Sequence, residues 1–422
     1  MIISYVGVVM INAGFEYRDY VHKRLQEKKG ILEGDARKAD AQYYHTCLSG
    51  MYPQQFFPSL IREPEWREIA LKHDFMPLGA QPNENLSYCN EGYGFVTYTS
   101  DRYGFRNDDA SWKSAVDVLL VGDSFMVGAC VPHGKDIAGI INNTTELNAI
   151  TLGSSSNDAQ HYVALIEKFV PAIKAKYAVL AFYPNDNYEV PRDNFFIEHS
   201  NEGDLDGYTL EGVSVAAKSF FTEASSIIKL KGEGRGYSSE CNLQDDYYLD
   251  YNNQASKNKE NYQNIFSLSY INSWFNEVRA ANSFGGIFSL KYTREHLLAG
   301  IGLRILGVLN DASSGVPNVT KMAITALFEK CTADCVPVIL LLPNSEFWRP
   351  DSRAEGYLNG IRLYVEANYN NIEHILLDGR HYILSDDIDS FAPTGPHYSI
   401  EGYQKLADAL LDSLVSYEVS KK

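Results

Sequence analysis

The run Val118-Leu119-Leu120-Val121-Gly122-Asp123-Ser124 shows the plan of this chain most clearly. An apolar, β-branched stretch stops abruptly at Gly-Asp-Ser. That pattern predicts a buried strand passing through a tight turn into a helix, with Ser124 at the turn. A serine so placed has its hydroxyl at the carboxyl edge of a sheet, where sites form in open α/β folds. Backbone amides at a helix start favour a developing oxyanion. The competing reading is that Ser124 only caps the helix.

Strands and helices alternate outward from this run. Residues 116–121 read as a strand, 136–142 as a helix and 147–152 as a strand ending in Gly153-Ser154-Ser155-Ser156-Asn157. An amphipathic helix comes next at 160–170, with Pro171 placed to kink or end it. A strand at 177–183 runs into Pro184-Asn185-Asp186. This order implies a parallel sheet with helices on both faces. The alternation resumes at 322–330 (helix), 336–342 (strand), 353–367 (helix), 374–377 (strand) and 399–415 (helix). Between about 200 and 315 the chain is polar and reads as an insertion, with helix-like 265–279 and a loop-like 232–253. Residues 1–85 form an N-terminal helical and irregular segment, helix-like at 17–29 and 65–73.

Composition narrows the function. The chain has 422 residues, 45% hydrophobic, with a formal net charge of −17. That charge argues against a nucleic-acid surface and against coating anionic membranes. The 29 tyrosines and 20 phenylalanines suit either a core or a sugar-stacking surface. Six cysteines permit disulfides and prove none. Cys331 and Cys335 have no histidines nearby, so no zinc site is read there and plain burial is expected. Cys89 and Cys130 flank the serine strand, and the reading stays open between a disulfide and two buried thiols. No phosphate-binding glycine loop and no metal cluster is evident, so neither cofactor nor metal is expected. Residues 2–13 are apolar but too short to span a bilayer. They read either as the tail of a membrane anchor at 1–14 or as a buried element. The basic residues at 18–29 favour a cytoplasmic side for the chain beyond them.

Three strand ends bring polar groups to one edge: Ser124, Gly153 and Asn185. His397 lies in the loop before the last helix, within Thr394-Gly395-Pro396-His397-Tyr398-Ser399. A base is suitably placed there to face the same edge. In this ordered set the chain resembles the SGNH hydrolases, a branch of the GDSL esterase/lipase superfamily. Gly122-Asp123-Ser124 resembles the nucleophile block and Gly153 the oxyanion glycine. Tyr183-Pro184-Asn185-Asp186 resembles the Gly-x-Asn-Asp block, with Tyr183 in place of glycine. His397 matches the histidine before the last helix. Asp101–Asn107 resembles a Gly-Phe-Arg segment found upstream of the nucleophile strand. The resemblance covers about 86–200 and 315–418.

That resemblance implies a flavodoxin-like three-layer α/β/α sandwich with a central parallel sheet and a large insertion at 200–315, which would serve as lid or acceptor-binding element. It implies Ser124 as nucleophile and His397 as base. It gives an oxyanion hole made by the Ser124 amide, the Gly153 amide and the Asn185 side chain. The family's acid, three residues before the histidine, is replaced by Thr394. Asp386, Asp387 and Asp389 are the candidates to orient His397, with a backbone carbonyl as the alternative. Asp378-Gly379-Arg380-His381 spells the family pattern literally, but His397 has the better context. Asp123 is read as shaping the turn, Asp186 as a local cap, His161 as a surface histidine and Arg106 as a structural contact.

The implied function is a serine esterase removing acyl groups, acetyl foremost, from a carbohydrate or related ester. One alternative is an O-acetyltransferase of polysaccharide biosynthesis using the same site. Another is a catalytically lapsed glycan-binding component. The expected partner is an acylated small molecule or saccharide. The expected location is periplasmic or cell-envelope, with cytoplasmic as the alternative.

Overall fold

A computed structural model describes residues 52–53, 58–62, 64–89, 91–93, 96–187, 195–200, 208–209, 212–215, 217–224, 315–332, 334–345, 352–393 and 395–421. The expectations for 1–14, 17–29, 232–253 and 265–279, and those for Cys47, Cys241 and Thr394, lie outside these residues.

Five strands form the central sheet: β1 (Val118–Val121), β2 (Ala149–Thr151), β3 (Tyr177–Phe182), β4 (Val336–Leu341) and β5 (Ile375–Asp378). Every pairing is parallel, in the order β2-β1-β3-β4-β5. Leu120 pairs with Thr151 on one side and Val179 on the other, so the loops after β1, β2 and β3 leave from one edge. Strand order reverses between β1 and β3, which makes the crevice beyond their carboxyl ends the expected ligand position.

The strands are almost wholly apolar because both faces are covered. Side chains alternate between two cores. Leu119, Val121, Ile150, Ala178, Leu180, Ile339 and Leu341 face one side. There they meet α2 (Ala159–Ile173), α3 (Asn318–Lys330) and α4 (Ser352–Asn368). Val118, Leu120, Ala149, Val179, Ala181, Val338 and Leu340 face the other, against α1 (Ile137–Thr144) and α5 (Ile400–Ser420). The result is a three-layer α/β/α arrangement.

Caps explain several helix starts. Asp136 accepts from the Gly139 amide and Ser399 from the Gly402 amide. The helix α2 continues two residues past Pro171 and ends in a left-handed Lys174.

Two expectations are corrected. No α-helix comes directly after Ser124: residues 124–130 form successive turns, and α1 begins only at Ile137. Gly128 and Cys130 have φ of 70° and 60°, incompatible with continuing a helix. Described residues of the N-terminal segment and of 195–224 join the main core. Trp66, Ile69 and Phe75 join Phe195, Phe196, Tyr208, Phe220 and Phe221 in the cluster that covers α2. Cys331 and Cys335 are joined in a disulfide at the end of α3.

Upstream of β1, Tyr52–Pro53, Asn85–Ser87 and Thr97–Thr99 make a small sheet. Its last two strands are antiparallel, and the connection between them carries Glu91. Among the described residues, no helix is long and apolar enough to cross a membrane.

Candidate active site

Ser124 sits in the first turn after β1. The Asp123 carboxylate accepts from the Phe125 amide (2.9 Å), and the Asp123 carbonyl accepts from Met126 and Val127 (3.1 Å each). Asp123 thus shapes the turn. The Ser124 amide makes no hydrogen bond among the described residues, which leaves it available to a ligand.

The loop Asp101–Asn107 clamps this turn from outside. Arg106 is 2% exposed and donates to the carbonyls of Val127 (3.3 Å), Gly128 (2.5 Å) and Val131 (2.7 Å). Its guanidinium lies 5.4 Å from the Tyr98 ring centre. Asn107 pairs with both backbone groups of Thr151 at 2.8 Å, so its amide acts as a partner strand for the end of β2. Asp101 accepts from the Tyr103 and Phe105 amides, Asn107 and Trp112, which fixes the loop itself.

His397 reaches Ser124. Its Nε2 is 2.8 Å from Ser124 Oγ. Its Nδ1 is 2.7 Å from a Glu91 carboxylate oxygen, and its backbone N–H donates to the other Glu91 oxygen at 3.2 Å. A carboxylate can only accept, so Nδ1 carries the proton and Nε2 is left to accept from the serine hydroxyl. Phe125 braces the ring, with centroids 4.8 Å apart.

The carboxylate bonded to His397 is that of Glu91, carried by the upstream hairpin, and not that of Asp386, Asp387 or Asp389. Asp387 is held by Lys405 (2.8 Å) and Ser390 (2.7 Å). Asp386 is exposed, and the Asp389 carbonyl accepts from the Ser399 hydroxyl. His381 is exposed, and the neighbouring Asp378 pairs with Arg380. One local signal does point to Glu91. A Cβ at Gly395 would fall 1.7 Å from the Glu91 carboxyl carbon, so only glycine lets the carboxylate reach past this loop to His397.

The two remaining oxyanion candidates differ. Gly153 lies directly against the serine turn, where a Cβ would come within 2.4 Å of the Val127 nitrogen. Its N–H, however, donates to Thr151 Oγ1 (3.0 Å), which in turn donates to the Met126 carbonyl (2.9 Å). In this structure Gly153 is therefore a close-packing residue whose amide is engaged, and not a free oxyanion donor. Asn185 comes after β3 in a short 3-10 turn, and its Oδ1 is buried with no hydrogen-bond partner among the described residues. Asp186 holds that turn by accepting from the Tyr183 amide (2.9 Å) and the Tyr162 hydroxyl (3.0 Å). Burial, with the neighbouring Asp123 charge, holds the Asp186 carboxyl well above the usual carboxylate range. Tyr183, where the resembled block has glycine, stacks on Phe125 with centroids 3.8 Å apart.

His161 is 1% exposed, contrary to the surface reading. It closes a capping box with Asp158 at the start of α2 and lies 4.1 Å from the Phe196 ring. Cys89 and Cys130 are disulfide-bonded. Cys130 Sγ, a Glu91 oxygen and a His397 nitrogen all lie within 4.8 Å of one another. Such a set can hold a metal only through a free thiolate, and this sulfur is bonded to Cys89.

The arrangement is thus a carboxylate, an imidazole and a hydroxyl in series beside an uncommitted backbone amide, with Asn185 in the turn that leaves the neighbouring strand β3. That is what activation of a nucleophile and stabilisation of an oxyanion require. Compared with protein-family models and with curated proteins, the chain matches none.

Proposed function

We propose that this protein is a serine ester hydrolase with an SGNH-type fold and site, removing acyl groups, acetyl foremost, from a carbohydrate or related ester. The observation that carries this reading is the series Glu91–His397–Ser124, with contacts of 2.7 Å and 2.8 Å. His397 Nε2 takes the serine proton as Ser124 Oγ bonds to the ester carbonyl carbon. The imidazolium so formed is stabilised by the Glu91 carboxylate. The tetrahedral oxyanion is met by the Ser124 amide and the Asn185 side chain. Collapse breaks the carbon–oxygen bond to the alcohol, which leaves with the proton from His397. Water then attacks the acyl-Ser124, with His397 again as base. Attack by a sugar hydroxyl at the same point would make the reaction a transfer.

The intact series weighs against a lapsed binding module, since a fold relieved of catalysis has no need to hold three groups in line. Two disulfides favour an oxidising compartment, in keeping with a periplasmic or cell-envelope location. Turnover of a panel of short acyl esters, with and without an oligosaccharide acceptor, tests the proposal. It predicts release of free acid that stops in Ser124→Ala. No turnover of any ester by well-folded protein would refute it, and acyl appearing on the acceptor would identify a transferase.

A further inference from the structure

We propose that the Cys89–Cys130 disulfide is a redox latch that holds Glu91 in register with His397, so that reduction uncouples the acid from the relay. This rests on the esterase reading of the site. The bond joins the two segments that supply the outer members of the series: Cys89 lies two residues before Glu91, and Cys130 six after Ser124. It is also in contact with what it positions, since Cys130 Sγ lies within 4.8 Å of both a Glu91 oxygen and a His397 nitrogen. Cys130 is held at a φ of 60°, a conformation a non-glycine residue keeps only when its surroundings impose it.

Other contacts dock the hairpin around Glu91, whose carboxylate bonds to the His397 ring and backbone N–H. Tyr88 bonds to Ser155, Tyr98 lies over Arg106, and the Tyr93 hydroxyl accepts from the Ile400 amide at 3.4 Å. Reduction leaves these contacts in place and removes the one covalent tie between the Glu91 segment and the Ser124 turn, which lets the carboxylate shift out of register with His397. The step needs a thiol reductant. A dithiol gives two electrons and two protons, becoming a cyclic disulfide, while the Cys89–Cys130 sulfur–sulfur bond breaks to two thiols. The Cys331–Cys335 disulfide lies at the end of α3 and serves as the control.

The test is a coupling measurement between Glu91 and the disulfide. In wild type, Glu91→Gln lowers ester turnover by roughly a thousand- to ten-thousandfold, the order expected for loss of an orienting carboxylate. In the pair Cys89→Ala/Cys130→Ala, turnover itself falls at least a hundredfold and Glu91→Gln costs less than a further tenfold. The pair Cys331→Ala/Cys335→Ala stays at the wild-type rate. A fall of less than tenfold on removing the latch, or a Glu91→Gln effect that stays at a hundredfold or more, overturns the proposal.

A second measurement needs no activity. Proton NMR of the oxidised protein shows the low-field His397 Nδ1 proton shared with Glu91, and the signal is lost in the alanine pair or in dithiothreitol-reduced wild type. Its persistence after reduction overturns the latch. An oxidised protein without ester turnover that still loses the signal keeps the latch and refutes the esterase.

Discussion

Asn185 lies in the turn at the carboxyl end of a central strand, with its Oδ1 unpartnered among the described residues. A single oxyanion donor is worth about 2.7–4 kcal/mol. Asn185→Ala should therefore lower kcat by roughly a hundred- to a thousandfold with little change in KM; near-normal turnover would remove it from the site. Glu91→Gln should lower kcat by roughly a thousand- to ten-thousandfold, because the amide neither fixes the imidazole tautomer nor stabilises the imidazolium. Asp387→Asn should leave turnover within twofold of wild type, since that carboxylate is spent on Lys405 and Ser390. These three measurements on one ester separate the hairpin acid from the loop acids. Ser124 and His397 are legible from sequence because each is announced locally, one by a strand ending in Gly-Asp-Ser, the other by a turn entering a capped helix. Glu91 is not, because its role depends on a tertiary docking that no periodicity encodes. The cysteine that precedes it and the glycine at 395 are the available clues.

At the level of elements, the short turn after β3 is held by a carboxyl whose pKa burial raises well above the usual carboxylate range. Asp186 has a folded-state pKa raised above its unfolded value. Its stabilising contribution is thus full below the ordinary carboxylate range and declines as pH rises from there towards the raised value. Asp186→Asn, which cannot ionise, should lack that decline. The stability of the variant relative to wild type should improve as pH is taken from 4 to 8, measured by urea unfolding. Asp186→Ala leaves the Tyr183 amide and the Tyr162 hydroxyl without their acceptor and should cost about 1–3 kcal/mol for each unpaired group. An Asp186→Asn variant that tracks wild type across the whole range would contradict a raised Asp186 pKa. The strands and helices of the sheet are readable from their patterns because long apolar runs and capped amphipathic stretches report burial directly. The turn at 124–130 is not, since its left-handed Gly128 and Cys130 are imposed by the disulfide and by the Arg106 clamp.

At the scale of the molecule, the sheet reverses order between β1 and β3, and the site straddles that reversal with Ser124 on one side and Asn185 on the other. His397 enters from the loop before α5, and the upstream hairpin closes the arrangement with Glu91. Segments from before, within and after the sheet therefore meet at one point, held by buried clamps and one disulfide. The core shared by 58–86 and 195–224 is not legible from composition, because charged and polar residues between their aromatics mask how many of those rings are buried. Exposure of the native protein to a fluorophosphonate, with peptide mapping of the product, distinguishes a Ser124 activated by His397 from a serine that only shapes the turn. The expected result is one adduct per chain, on Ser124, formed at a rate that falls at least a hundredfold in His397→Ala. No adduct, or an adduct on another serine in well-folded protein, would contradict it.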